Sequence, residues 1–412
     1  MSIREIVYRY ILSLYKTFPR VVKNSLISVL EYGKLERSLS QSEKEISESG
    51  PVQFQGLWTK SVETQPYNEK ELVKRLVLSF NAAKKAQANV TEPYKPTGGW
   101  KNVFNDRFKK FYEYASKENY EGFADLLRNF FRIGATDGLW STYGFKEFCT
   151  LNDARNKFAH VFVQDMINKH LLVWKKNLPL ADLKELDAPR VGNPFGYRFN
   201  DFVLLEPVFE YNYQAHYFDK LLTDVQMPVV IEIGGGFGGL AHHLLRRRPS
   251  MRYIGFDLPE NLLIQSYYLS CVFPNARIAL YQEGGRPLTL EELDNYDIVL
   301  LPNFELERTE ALIADLIINV RSLSEMSYET ISEYFRQIDR TGRLFFFHEN
   351  INEPRKDSLF GIPSTNFPSL ENFTQILATE SRWPKYNGDS VYHCQENLFI
   401  RSSVISNPSR RD

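Results

Sequence analysis

The pattern of apolar and polar positions divides the chain into a helical first part and a second part in which strands and helices alternate. From Gln53 to about Asn200, apolar residues recur at spacings of three and four, as in helices that bury one face. The clearest segments are EKELVKRLVLSFNAAKKAQ, DRFKKFYEYASKENYEGFADLLRNFFRIG and DARNKFAHVFVQDMINKHLLVWKKN. We therefore predict a mainly helical substrate or cap domain over residues 51–205.

From residue 206 to 412, short apolar runs alternate with helical patterns. Strands are predicted for VVIEI, RYIGFD, RIALY, DIVLLP, DLIINV and RLFFFHE, and helices for EYNYQAHYFDKLL, PENLLIQSYYLSCVF and Tyr328 to Asp339. Such alternation predicts a parallel, doubly wound α/β sheet. Near the end of the chain we predict a helix around LENFTQILATE and an antiparallel pair from SRWPKYNG and ENLFIRSS.

One stretch, VVIEIGGGFGGLAHHLL, carries the strongest chemical signal. A buried strand, Val229 to Ile233, runs into a glycine-rich turn, and a helix follows. The glycines are Gly234, Gly235, Gly236, Gly238 and Gly239. Because glycine carries no Cβ and tolerates positive φ, a ligand can lie against the main chain there, where free N–H groups of the helix point.

Two classes of ligand use such a turn. A dinucleotide is one, because Gly234, Gly236 and Gly239 fit G-x-G-x-x-G and Asp257 follows as the ribose acid. Glu232, just before the first glycine, favours the other class. A carboxylate there would repel a pyrophosphate but suits a ligand that carries ammonium and sulfonium charges, and S-adenosylmethionine is such a ligand.

The turn resembles the first motif of class I S-adenosylmethionine-dependent methyltransferases. The resemblance implies a Rossmann-like methyltransferase domain with an antiparallel last strand, preceded by the helical domain. It also implies that Asp257 and Leu258 bind the ribose and that Asn303 and Phe304 hold the adenine, with a simple turn as the alternative for Asn303 and Phe304. Asn319 is a further predicted cofactor contact, beside the acceptor.

Three residues are predicted to carry the chemistry. In this superfamily the loop after the fourth strand faces the departing methyl group, which implicates Arg321 and Glu325. His348 stands at the tip of the fifth strand and opens toward the same crevice. We predict that Glu325 and His348 remove the acceptor's proton, with Arg321 holding the acceptor or Glu325 itself.

Four further side chains are candidate substrate contacts. Tyr211 and His216 lie on the helix before the glycine turn, which would face the cofactor crevice. Trp140 and Tyr143 lie on a Gly-bearing loop, where aromatic rings can stack on the C–H faces of a sugar. For all four, ordinary packing is the alternative interpretation.

The pieces VGNP, EYNYQAHYFDKLL, IEIGGGFGG, FDLPENLL, LLPN, INVRSLSEM and FFFHEN together resemble the bacterial sugar O-methyltransferase family. The resemblance covers roughly residues 192–400. It implies methylation of a sugar hydroxyl, on a nucleotide sugar or a glycan, in surface polysaccharide biosynthesis. An NAD-dependent sugar oxidoreductase and a non-catalytic partner of a glycan assembly complex remain as alternatives.

The composition of the chain argues against several classes of partner and cofactor. A net charge of −1 over 412 residues gives no basic footprint for nucleic acid. Three widely spaced cysteines fit neither a disulfide framework nor a zinc cluster, which favours a cytoplasmic protein. No ligand spacing indicates a metal site.

The first 50 residues form a separate segment with an exposed linker. Residues 1–35 mix apolar and basic side chains, but no apolar run reaches the length of a membrane span. They suit a helix hairpin docked on the protein or on a second copy in a homo-oligomer. The alternative is an amphipathic helix lying on the anionic inner membrane.

Overall fold

The structure is a computed structural model that describes most of the chain after residue 53. The described residues are 54–58, 68–96, 100–136, 167, 169–194, 196–199, 202–205, 207–286, 289, 292, 294–353, 361–383, 385–387 and 390–406. The predicted N-terminal segment, residues 1–50, lies outside them. Within the described residues, no helix is both long and apolar enough to cross a membrane.

The described residues of the helical region, 68–96 and 100–136, contain four α-helices and a short 3-10 helix, Glu92–Tyr94. The α-helices are α1 (Glu69–Gln87), α2 (Trp100–Arg107), α3 (Lys109–Ser116) and α4 (Tyr120–Arg128). In α1, Leu72, Leu76 and Phe80 repeat at a spacing of four and share a core with Phe123 of α4. Another helix, α5, spans 169–177. The first two helical segments predicted from the sequence are thus helical in the structure.

Three short strands interrupt the part of the chain predicted to be mainly helical. They are β1 (Phe54–Trp58), β2 (Gly196–Phe199) and β3 (Phe202–Leu204), and they pair antiparallel in the order β1-β2-β3. Strands of three to five residues are too short for a period of two to stand out from a helical pattern.

An eight-stranded sheet forms the centre of the second part. Its strands are β4 (Val229–Ile233), β5 (Arg252–Asp257), β6 (Ile278–Leu280), β7 (Ile298–Pro302), β8 (Ala314–Val320), β9 (Gly342–Ile351), β10 (Phe373–Glu380) and β13 (Cys394–Arg401). The order is β10-β13-β9-β8-β4-β5-β7-β6, and β4 to β9 run parallel. The last strand, β13, is antiparallel to β9 and β10. This is the Rossmann-like methyltransferase fold with an antiparallel last strand, as predicted.

Helices cover both faces of this sheet. On one face, Val230 and Leu316 share a core with Phe218 of α6 (Val208–Leu221) and Leu244 of α7 (Gly239–Arg247). The helix α8 (Pro259–Val272) lies in the core that α1 also enters. On the opposite face, Ile317 packs with α9 (Tyr328–Thr341). The sheet is therefore doubly wound, and α8 joins it to the helical region.

The C-terminal part corrects two details of the sequence prediction. LENFTQILATE contains strand β10 rather than a helix, and it is β10 that pairs with β13. SRWPKYNG contributes instead to a separate hairpin, β11 (Lys385–Asn387) and β12 (Ser390–Tyr392). The pairing of β10 shifts register between Gln375 and Leu377, and this irregularity removes the period of two that would have indicated a strand.

Candidate functional site

The glycine-rich turn leaves β4 at the carboxyl edge of the sheet and leads into α7. Gly234, Gly236 and Gly238 have φ values of +76°, +59° and +92°, which only glycine adopts without strain. Gly238 is the left-handed residue that precedes the first residue of α7. The free N–H groups at the start of α7 therefore lie at this turn, in the arrangement that suits a ligand lying close to the backbone.

Asp257 ends the neighbouring strand and is tied directly to the turn. One of its oxygens accepts a hydrogen bond from the Gly236 N–H at 2.9 Å. The other accepts from the Leu258 N–H at 2.7 Å and from Asn261 at 2.9 Å. Burial raises the pKa of this carboxyl to about 6, although these hydrogen bonds oppose the increase.

Glu232 lies beneath the turn and is only 3% exposed. It accepts a hydrogen bond from the Tyr253 hydroxyl at 2.5 Å, and Gln265 in turn donates to that hydroxyl at 3.0 Å. Burial raises the pKa of Glu232 to about 7, and the nearby charge of Asp257 adds to the increase. Tyr253 and Gln265 were not predicted from the sequence, because their positions read as ordinary core.

Asn303 directly follows β7. The sequence predicted that the adenine would lie against this residue. Its amide nitrogen donates to the Tyr94 carbonyl at 3.0 Å and to the Tyr334 hydroxyl at 2.9 Å. Its amide oxygen is buried and has no hydrogen-bond partner among the described residues. Phe304, in contrast, is buried in the core and packs edge-on against Tyr281.

Asn319 is the second-last residue of β8 and links three neighbouring strands. Its amide nitrogen donates to the Ile233 carbonyl at 2.9 Å and to the Ser322 hydroxyl at 2.5 Å, and its oxygen accepts from Asn350 at 2.9 Å. These contacts hold the glycine turn against the loop that follows β8. Asn319 is fully buried, which suits a structural role in shaping the crevice.

Arg321 follows β8 and is engaged by two carboxylates. Its guanidinium lies 2.7 Å from Glu210 of α6 and 3.1 Å from Glu349 of β9. Burial disfavours its charge, but the two carboxylates outweigh that cost and raise the pKa of Arg321. The residue has a φ of +62°, an uncommon backbone conformation for a side chain of this kind. Its contacts join α6, β8 and β9.

Glu325 ends the 3-10 helix Leu323–Glu325, which begins soon after β8. One carboxylate oxygen accepts a hydrogen bond from the indole of Trp100 at 2.8 Å. Burial raises the pKa of Glu325 to about 7, while that hydrogen bond and the charge of Arg321 lower it. A carboxyl group with this pKa can take up and release a proton near neutral pH.

The position of His348 argues against the role predicted for it. The imidazole is 3% exposed and packs among the rings of Phe335, Phe346, Phe367 and Phe399. Burial lowers its pKa to about 3, so the ring is neutral at physiological pH and a weak base. It lies on the sheet face that α9 covers, and its surroundings are those of a core residue.

The predicted substrate contacts are dispersed. Tyr211 packs edge-on against Phe237 in the glycine turn, with ring centroids 6.0 Å apart. His216 is instead near the far end of α7, with its ring nitrogen 2.6 Å from Glu185 and 3.0 Å from Arg247. The prediction for His216 is therefore corrected, since it contacts Arg247 at the last residue of α7, whereas the glycine turn lies at the first. Trp140 and Tyr143 lie outside the described residues.

The helical region packs over the carboxyl edge of the sheet at three points. Lys84 of α1 lies 2.6 Å from Glu260, the second residue of α8. Tyr94 contacts Asn303, and Trp100 contacts Glu325. These contacts join residues more than 170 positions apart in the chain, so no local pattern in the sequence could have indicated them. The helical region thus covers the edge of the sheet at which the predicted cofactor residues lie.

The candidate crevice has no evident metal centre. Within the described residues, no group of three or more His, Cys, Asp or Glu side chains is placed to hold a metal ion.

Comparison with known proteins gives structural likeness alone. No protein-family model matches the chain, and no curated protein matches it by sequence. Magnesium protoporphyrin IX methyltransferase from Synechocystis PCC 6803, solved with bound SAH, is 10% identical, with 58% of this chain and 99% of that chain covered and a TM-score of 0.33. The PH0226 protein from Pyrococcus horikoshii OT3 is 11% identical, with 47% and 92% covered and a TM-score of 0.31. The order and direction of the strands in this chain define its fold.

Proposed function

We propose that the chain is an S-adenosylmethionine-dependent methyltransferase. The observation that carries the proposal is the joining of Asp257 to the Gly236 N–H at 2.9 Å, which brings a ribose-binding acid and a glycine turn to one edge of the sheet. The antiparallel β13 also favours a methyltransferase, because dinucleotide-binding folds have a parallel sixth strand there.

The residues present fit the cofactor in two further respects. The unpartnered amide oxygen of Asn303 can accept a hydrogen bond from the amino group of adenine. Glu232 and Asp257 are buried and Glu325 is partly buried, and burial raises the pKa values of the three carboxyl groups to between about 6 and about 7. A sulfonium cation nearby would favour their charged forms, and they in turn would favour the cation.

For the acceptor we propose a sugar hydroxyl, on a nucleotide sugar or a glycan of surface polysaccharide biosynthesis. The resemblance of the motifs to sugar O-methyltransferases supports this choice. The same proposal locates the enzyme in the cytoplasm, where the two cysteines that the structure describes, Cys271 and Cys394, would stay reduced.

Glu325 is the residue best suited to act as the base. S-adenosylmethionine, when bound, supplies the electrophilic methyl group. Glu325 would take the hydroxyl proton as the acceptor oxygen forms its bond to the methyl carbon and the carbon–sulfur bond breaks, with neutral S-adenosylhomocysteine as the second product. Arg321 would keep the loop after β8 in place through Glu210 and Glu349. Positioning of the acceptor supplies the rest of the rate enhancement.

The test is calorimetric titration of the whole protein with S-adenosylmethionine and, separately, with NAD. We expect a heat of binding with S-adenosylmethionine and no heat of binding with NAD. Binding of NAD alone would favour the sugar oxidoreductase and overturn the proposal. Mass spectrometry of the host's surface glycans, with and without the gene, then tests the acceptor. A glycan profile with the same methyl groups in both strains would contradict the sugar assignment.

A further inference from the structure

A single hydrogen bond connects the helical region to the proposed base. Trp100 is the first residue of α2, and its ring packs against Phe104 with centroids 5.4 Å apart. The indole N–H donates to Oε2 of Glu325 at 2.8 Å. The two residues are 225 positions apart, so this contact exists only when the helical region is packed against the sheet.

The remaining surroundings of Glu325 make the indole its direct donor. Arg321 and Asp257 are the charged side chains that act on this carboxyl group. The guanidinium of Arg321 already pairs with Glu210 and Glu349, and Asp257 carries the same charge as Glu325. The other carboxylate oxygen, Oε1, accepts no hydrogen bond from the described residues, so it remains available to an acceptor hydroxyl.

We propose that Trp100 is a positioning residue for the base, holding Oε2 of Glu325 so that Oε1 faces the acceptor. The inference rests on the proposed function. It adds that the base site is assembled from two separate parts of the chain, and that packing of the helical region both orients the carboxyl group and shields it from water. A carboxyl group fixed by one oxygen loses little freedom when it accepts a proton through the other.

The expected effect of removing the donor follows from the competing influences on Glu325. Burial raises its pKa and the indole hydrogen bond lowers it. Trp100→Phe removes the N–H but retains an aromatic ring against Phe104. The pKa of Glu325 should therefore rise by about one to two units, the shift that corresponds to the usual strength of a hydrogen bond to a charged group.

The contact can be tested without knowing the acceptor, through tryptophan fluorescence of the whole protein between pH 5 and 9. All variants are made in a parent protein that carries Trp383→Phe, because Trp383 packs edge-on against the imidazole of His170 and its emission would overlap that of Trp100. We expect the fluorescence of the parent protein to change near pH 7, where Glu325 takes up or releases its proton. This change should be lost in Trp100→Phe and in Glu325→Gln. Trp174→Phe is the matched control, since it also removes a buried indole hydrogen bond, to Asn212, and should keep the transition.

A transition that persists in Trp100→Phe, or that is absent from a folded parent, would overturn the inference. Calorimetry with S-adenosylmethionine separates this result from the fate of the proposed function. If the fluorescence depends on pH as expected but S-adenosylmethionine does not bind, the contact between Trp100 and Glu325 is confirmed and the methyltransferase proposal fails. Once an acceptor is known, Trp100→Phe should lower kcat and shift the limiting pH upward while the cofactor Kd is unchanged.

Discussion

The carboxylate of Asp257 accepts the backbone N–H of Gly236 at 2.9 Å, across the gap between two adjacent parallel strands. This bond joins the acid that ends β5 to the glycine turn that follows β4. The second oxygen of Asp257 accepts from Leu258 and Asn261 at the start of α8. The acid is therefore fixed in place by the backbone on both sides before any ligand arrives.

Replacing Asp257 should separate cofactor binding from folding. In Asp257→Ala, the ribose hydroxyls would lose a charged acceptor, worth about 1.5–3 kcal/mol. We expect the Kd for S-adenosylmethionine, measured by calorimetry, to rise by about tenfold to a hundredfold, and the thermal stabilisation by the cofactor to disappear. The melting temperature without ligand serves as the control for folding. A Kd equal to that of the wild type would remove Asp257 from the binding site.

The raised pKa of Glu232 predicts how stability depends on pH. A carboxyl group whose folded-state pKa lies above its ordinary value contributes stability that is complete below the ordinary pKa and is lost as pH rises through the folded one. For Glu232 this window runs from 4.5 to about 7. The contribution of Glu232 to the unfolding free energy of the unliganded protein should therefore be smaller at pH 8 than at pH 5. The buried His242 and His348, whose pKa values are lowered to about 3, contribute in the opposite direction.

Glu232→Gln should remove the part of the pH-dependent change in unfolding free energy that Glu232 causes. This part is at most about 3 kcal/mol, because one pKa unit corresponds to about 1.4 kcal/mol. An amide at this position can still accept from Tyr253. Urea unfolding at pH 5 and pH 8 measures the difference. Glu121→Gln, an exposed change in α4, should retain the wild-type dependence. An equal slope in Glu232→Gln and wild type would mean that Glu232 is not buried as described.

His348 should behave as a core residue. His348→Leu replaces the ring with an apolar group of similar volume, which usually costs less than about 1.5 kcal/mol. His348→Ala leaves a cavity among four phenylalanines and should cost about 2–4 kcal/mol of unfolding free energy. Chemical denaturation measures both. If His348→Leu folds but no longer transfers methyl groups, the imidazole takes part in the reaction after all.

The glycine turn and Asp257 could be predicted because their signals are local. An apolar run, a set of glycines and an acid at the end of the next run define two parallel strands whose carboxyl ends meet at one edge. The antiparallel last strand was also predicted, although the partner of β13 was misassigned. Leu377 lies beyond the register shift in β10, where apolar residues no longer alternate.

The environments of the histidines depend on packing that the sequence does not state. His348 follows Phe346 at a spacing of two, so both point to the same face of β9. Only the position of α9 shows that this face is buried. His216 lies on a helix that was predicted over 210–222 and is observed at Val208–Leu221. Helical periodicity does not reveal that the neighbour of His216 is the far end of α7. Contacts between distant segments, such as Trp100 with Glu325, carry no local signal at all.

Gly234 provides a final prediction, because its conformation and its surroundings both require glycine. Its φ is +76°, and a Cβ at this position would lie 2.2 Å from the Ser322 hydroxyl oxygen and 2.6 Å from the Ser322 Cβ. The left-handed conformation alone costs an alanine about 1–2 kcal/mol. Ser322 would also have to move, which would break its hydrogen bond with Asn319 and shift the loop that leads to Glu325.

We therefore expect Gly234→Ala to lower the unfolding free energy by at least about 1 kcal/mol and to weaken binding of S-adenosylmethionine. Gly284→Ala is the matched control, since a Cβ there would meet no atom within 4 Å. That change should alter stability by less than about 0.5 kcal/mol and leave cofactor affinity unchanged. Urea unfolding and calorimetry on both variants give the comparison. Equal cofactor affinities would mean that the backbone at Gly234 does not shape the binding site.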